Sequence, residues 1–121
     1  MNVLHFLISR IRSLIPALKG LQFAIKHEKN IWIHIAATII AIFAILFLRL
    51  TYVESLFVLL AIFMVWICEL FNTAIEYTLD FIHKDNNPII KIIKDISAAA
   101  VFLSAIFALI TAAVILYNKF S

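Results

Sequence analysis

The fold is decided by the stretch LFVLLAIFMVWICELFNTAIEYTLD, residues 56–80. Residues 56–68 carry no charge, as expected of a helix inside hydrocarbon. Residues 69–80 continue the helical pattern but add Glu69, Asn72, Glu76 and Asp80, at spacings of three, four and four. At about 3.6 residues per turn these four side chains fall within about 60° of one another. One helix face therefore carries three carboxylates and an amide. At about 1.5 Å per residue it extends about 16 Å inward from the membrane surface. Carboxylates one turn apart repel, and each is costly at membrane depth. One compensating partner is a divalent cation, since Mg2+ takes one or two carboxylates together with substrate phosphates. Interhelical hydrogen bonds, or snorkelling to the interface, are the other possibility.

Outward from this stretch, the composition gives the same class. Hydrophobic residues make up 65% of the 121 residues and charged residues 14%, against roughly 45–50% and about 25% in soluble domains. A soluble chain this short could not bury so much apolar surface. The expected fold is an all-α integral membrane domain spanning residues 1–121. Three segments have membrane-helix character, at about 31–48, 53–82 and 96–117. Ahead of them, at about 3–27, apolar residues recur at spacings of three, four and seven. Arg12, Ser13, Lys19, Gln22 and Lys26 fall on the opposite side. This pattern predicts an amphipathic helix lying in the membrane surface, with Pro16 kinking it or splitting it in two. A cleaved signal peptide fits poorly, because Arg10 and Arg12 follow the apolar stretch.

Basic residues set the expected orientation. Eight precede the first span or lie between the second and third: Arg10, Arg12, Lys19, Lys26, Lys29, Lys84, Lys91 and Lys94. Only Arg49 and Lys119 lie on the other side. The N-terminus and the 83–95 loop should be cytoplasmic. Glu54, at the outer end of the second span, reads as an exposed interfacial charge.

Several chemistries are excluded or unsupported. The single glycine, Gly20, rules out every nucleotide site built on a glycine-rich loop. The one thiol, Cys68, cannot form an internal disulfide, and no CxxC pair or histidine cluster suggests zinc. The net charge of +3 is mild, and no nucleic-acid partner is expected. If phosphate is handled, side chains handle it.

Two other places hold polar groups at the cytoplasmic ends of spans: residues 26–30, which include Glu28, and Lys94-Asp95. Each alone reads as a solvated helix end. Together with the acidic face they suggest a polar pocket open to the cytosol and flanked by lipid. Glu28 could reach a metal held by Glu76, and Lys94 could neutralise phosphate oxygens. Such a pocket suits phosphoryl transfer from a soluble, metal-bound anion to a lipid hydroxyl. Glu69 is the best-placed base, two turns deeper than Glu76. A competing reading is a small oligomeric transporter in which Glu69 exchanges protons for a cationic substrate. It leaves Glu28, Glu76, Lys94 and Asp95 without a role. An inert assembly subunit would leave the whole face without one.

The run ELFNTAIEYTLD at 69–80 resembles the signature of the small bacterial integral-membrane lipid kinases, the diacylglycerol and undecaprenol kinases. KGL at 19–21, AIKHEKN at 24–30, His34, and Lys94-Asp95 followed by the small run 97–100 are similar as well. The resemblance covers about residues 10–117. It implies a homotrimer of three-span subunits in the bacterial cytoplasmic (inner) membrane, with each active site shared between neighbours. It implies Glu69 as the catalytic base, and Glu28 and Glu76 as ligands of Mg2+ on the ATP phosphates. Asn72 would be a polar residue of the site beside Asp80. Asp85, Lys94, Asp95 and either Arg10 or Arg12 would bind ATP. Pro16 stands where relatives commonly carry an aromatic residue, and Asn86-Asn87 where many carry Tyr-His. The pattern around His34 looks more like the branch containing undecaprenol kinases, which makes His34 a lipid-substrate candidate. It could equally be an interface histidine bonded to a neighbouring helix.

Overall fold

The computed structural model describes residues 2–83 and 86–121, and among these every regular element is helical. They form two compact units, Met1–Ile31 and Trp32–Ser121.

The first unit is built on α1, Val3–His27. Asn2 caps it, its side chain accepting the His5 N–H at 2.8 Å. The last turn carries Lys26 and His27, where cations complement the helix dipole. Of the kink or split expected at Pro16, the split does not occur, and one helix runs through it. Proline forfeits a single N–H bond, which the rest of a 25-residue helix can absorb. Leu4, Leu7, Ile11, Leu14, Ile15 and Leu18 are all exposed within this unit.

The second unit contains α2 (Ile31–Phe47), α3 (Tyr52–Ile82) and α4 (Pro88–Phe120). Their 17, 31 and 33 residues give lengths of about 26, 46 and 50 Å at 1.5 Å per residue. A hydrocarbon core is about 30 Å thick. α3 and α4 are each long and apolar enough to cross it, and a third crossing follows if α1 and α2 are counted as one broken span. Helix α4 starts earlier than expected, so most of the 83–95 segment is helix rather than loop. The cause is local. Pro88 occupies the first turn, where its missing N–H costs nothing. Asn87 Oδ1 accepts the Ile89 N–H at 2.8 Å, and Lys91 pairs with Asp95 one turn on.

α3 and α4 make the close helix pair of this unit. Its buried positions are small or polar: Ala61, Glu69 and Thr73 on α3, and Ser97, Ser104 and Thr111 on α4, with Ile115 the one large residue. The α4 hydroxyls recur every seven residues, the period of a helix–helix seam. Large apolar side chains such as Phe63, Phe71, Phe102 and Leu109 lie exposed on the outside. That distribution suits lipid, where no hydrophobic force draws helices together and small residues allow close approach.

The turn between α2 and α3 is unusually well tied. Arg49 takes φ 51°, a left-handed conformation normally given to glycine. The Leu50 N–H reaches back to the Ile45 carbonyl at 3.5 Å, the bond that closes a Schellman turn. Thr51 and Glu54 then form a reciprocal capping box. Lys119 binds both Glu54 (3.1 Å) and the Arg49 carbonyl (3.3 Å), fixing the end of α4 to the turn. Glu54 is therefore half-buried and structural, not an exposed interfacial charge.

Two stability effects follow. Arg49→Gly should stabilise the folded protein by up to about 1 kcal/mol, because the left-handed residue loses its steric cost. Thr51→Ala should destabilise it by about 1 kcal/mol through loss of the cap. Unfolding in detergent by increasing SDS, followed by circular dichroism, measures both.

Candidate functional site

The acidic face of α3 is present as one ladder, and each rung reaches a different partner. Glu69 is the deepest, with its side chain only 10% exposed. Its Oε1 lies 2.7 Å from Nε2 of His34 on α2, which is 15% exposed. Asn72 is half-buried and accepts the Ser97 hydroxyl of α4 at 2.7 Å. Its own amide donates to Glu76 Oε1 at 3.3 Å. Asp80 accepts from Lys94 of α4 at 2.6 Å. The face thus bridges α3 to both other helices of its unit. The hydrogen-bonding alternative is realised at Glu69, Asn72 and Asp80.

A second layer braces His34. Thr38 is one turn further along α2, and its hydroxyl donates to the His34 carbonyl at 2.7 Å. The Trp66 indole N–H of α3 donates to the same hydroxyl at 2.9 Å. The Trp66 and His34 rings stand 6.1 Å apart, tilted by 57°. Neither Thr38 nor Trp66 belongs to a motif that marks it as a site residue in the sequence. Their signal was positional: Thr38 is four residues from His34, and Trp66 three from Glu69, each on the same helix face.

Two cavities flank the ladder. One, of about 460 Å³, is an apolar groove between α2, α3 and α4. His34, Thr38 and Trp66 line one end of it, Leu48 and Leu116 the other, and Ala61 and Ala108 the sides. The second, of about 580 Å³, lies where α3 ends and α4 begins. It is lined by Asp80, His83, Asn86, Asn87, Lys91 and Lys94. Glu69 thus reaches the apolar space through His34, and about three turns beyond it along α3, at Asp80, is a polar one with two ammonium groups.

The remaining predicted residues fall as follows. Asp95 pairs with Lys91 at 2.8 Å on the exposed side of α4. Arg10 and Arg12 are exposed on α1, with Arg10 5.4 Å above the Phe6 ring. Glu28 is half-buried in the first unit, where its N–H closes α1 on the Ala24 carbonyl at 2.8 Å. Asp85 lies outside the described residues. Among the described residues, no three His, Cys, Asp or Glu side chains converge as a metal cage. A metal carried in on phosphates needs only one or two carboxylates, so a lone Glu76 on this face fits Mg2+ chemically.

A helical chain that embeds carboxylates beside an apolar groove and places lysines at a polar cavity on the same helix pair has the parts of a membrane phosphotransferase. Comparison with known proteins agrees. Residues 16–116 match the family model for prokaryotic diacylglycerol kinase. The undecaprenol kinase of Bacillus subtilis (strain 168) is 31% identical over 108 residues, covering 89% of this chain and 88% of that protein. The chain belongs to the prokaryotic diacylglycerol kinase family and is a membrane lipid kinase.

The rungs should differ in weight. Ser97→Ala leaves a half-buried amide oxygen without its donor and should cost about 1 kcal/mol of stability. Lys94 and Asp80 are 36% and 64% exposed. A double-mutant cycle on that pair should give a coupling below about 1 kcal/mol. Denaturation of the variants in detergent tests the contrast.

Proposed function

We propose that this protein transfers the γ-phosphate of ATP to the hydroxyl of a lipid alcohol, with Mg2+, and that undecaprenol is favoured over diacylglycerol. One observation carries the proposal: Glu69 is buried and bonded to His34, which lines the end of an apolar groove, on the same helix that reaches the lysine-lined cavity. A hydrocarbon chain in the groove would bring a lipid hydroxyl to Glu69. The hydroxyl oxygen attacks the γ-phosphorus and its proton passes to the Glu69 carboxylate. The bond from the γ-phosphorus to the bridging oxygen breaks, and ADP leaves with that electron pair. Little else is needed beyond positioning and charge neutralisation.

The other residues take the parts that positioning requires. By the family resemblance Glu76 and Glu28 would hold Mg2+, which would neutralise phosphate charge. Lys94, Asp95, Asp85 and Arg10 or Arg12 bind the nucleotide. Lys94 exchanges its bond to Asp80 for a phosphate oxygen. Asn72 and Asp80 orient this face, and His34 stands where the lipid headgroup arrives. Asn86-Asn87 line the polar cavity and give it a less aromatic wall than the resemblance predicts. The name of the Bacillus relative supports undecaprenol. Kinases on both sides of the comparison favour phosphoryl transfer over proton-coupled transport.

The membrane arrangement belongs to the same proposal. The 121 residues act as one membrane domain with three crossings, in the bacterial inner membrane. Helix α1 lies amphipathically in the cytoplasmic interface, and the segment around residues 83–95 is cytoplasmic. Three subunits share their sites, which buries polar surface that one subunit leaves open.

Purified protein in mixed micelles with labelled ATP and Mg2+ tests the reaction. Undecaprenol should be labelled faster than diacylglycerol, and Glu69→Gln should lower kcat by about 100-fold or more. Labelling of neither lipid, or a fully active Glu69→Gln, contradicts the proposal. Glu76→Gln should raise the Mg2+ concentration for half-maximal activity by about tenfold. An unchanged Mg2+ titration removes Glu76 as a ligand.

A further inference from the structure

A glutamate that must meet a hydroxyl within hydrogen-bond reach works best when its rotamer is already chosen. Glu69 has three side-chain torsions and is buried, and one of its oxygens is fixed at 2.7 Å from the His34 ring. We propose that His34 is a positioning residue for lipid phosphorylation. Its Nε2–H donates to Glu69 Oε1 and holds the carboxylate at the end of the apolar groove, where the acceptor hydroxyl arrives. This rests on the reaction proposed above.

Three features support the assignment. First, His34 is the only titratable residue on α2, so the imidazole is not there to serve a solvated face. Second, α2 does not share the close packing of α3 with α4. The His34–Glu69 and Trp66–Thr38 bonds span the space between α2 and α3, at the end of the groove. Third, the His34 backbone is tied to the same neighbours that stand against its ring. Thr38 holds the His34 carbonyl, and Trp66 holds Thr38 while its ring stands against the imidazole. A catalytic group is most precise when its support is supported in turn. The residue type also matters. An imidazole N–H can donate to a carboxylate oxygen, which an apolar side chain at position 34 could not do.

The test compares wild type, His34→Ala, His34→Leu and His34→Gln in mixed micelles, with elution volume and thermal unfolding recorded for each. Glutamine places an amide N–H close to where Nε2 stands. His34→Ala and His34→Leu should lower kcat about 100-fold while KM for ATP and for lipid changes less than about threefold. His34→Gln should recover kcat to within about tenfold of wild type. If His34→Ala does not fold, the leucine–glutamine pair decides by the same criteria. A kcat within about twofold of wild type in a folded His34→Ala or His34→Leu overturns the proposal. So does equal loss in a folded His34→Gln, or a loss that falls wholly on KM. A wild type that phosphorylates no lipid alcohol defeats the underlying reaction instead. The pairing is then read without activity, from the 15N resonance of His34 Nε2. It moves in Glu69→Gln if the bond exists and stays in place if it does not.

Discussion

Hydrocarbon supplies no hydrogen bonds, so each polar group carried into it must find a partner in the protein. That constraint organises this molecule. Helix α3 carries Glu69, Asn72 and Asp80 along one face, and each is answered from another helix, by His34, Ser97 and Lys94. The same requirement explains the hydroxyls of Ser97, Ser104 and Thr111 along the buried seam of α4. Ser104 bonds back to the Val101 carbonyl and so enters the seam already satisfied. The large apolar residues, freed from forming a core, face outward.

The ladder grades from dry to wet. Glu69 is buried and bonded to a histidine that lines an apolar groove, Asn72 and Glu76 are half-buried, and Asp80 is open. A reaction joining a lipid hydroxyl to a soluble phosphate donor needs that gradient on one rigid element. A 31-residue helix supplies it, about 16 Å longer than a hydrocarbon core is thick. The scarcity of glycine acquires a meaning here. Phosphate handling falls to carboxylates and ammonium groups near helix ends, and even the tight turn at Arg49 is made without glycine. Within the single chain Gly20 has open space around its Cβ position.

Much of this was legible in the sequence because it is periodic. The spacing of Glu69, Asn72, Glu76 and Asp80 placed them on one face, and the apolar runs located α2 and α3 to within a residue. The family resemblance on residues 69–80 was specific for the same reason: the chemistry is concentrated in one helix. What could not be read depended on local or tertiary competition. Asn87 and Pro88 start α4 two turns early, against an expectation based on hydropathy alone. Glu54 looked like an exposed charge because its partners, Thr51 and Lys119, act through a cap and a distant helix end. Pro16 failed to break α1 because a single lost bond is small beside the rest of the helix. His34 was flagged, but its partner lies 35 residues away and no periodicity points to it.

The proposed chemistry depends on Glu69 being held across the gap between α2 and α3. The most direct measurement is the 13C–15N dipolar coupling between the Glu69 carboxyl carbon and His34 Nε2, by solid-state NMR of the protein in bilayers. A strong coupling is predicted, as an N–O separation of 2.7 Å requires. Its absence, with both resonances assigned and resolved, would contradict the account.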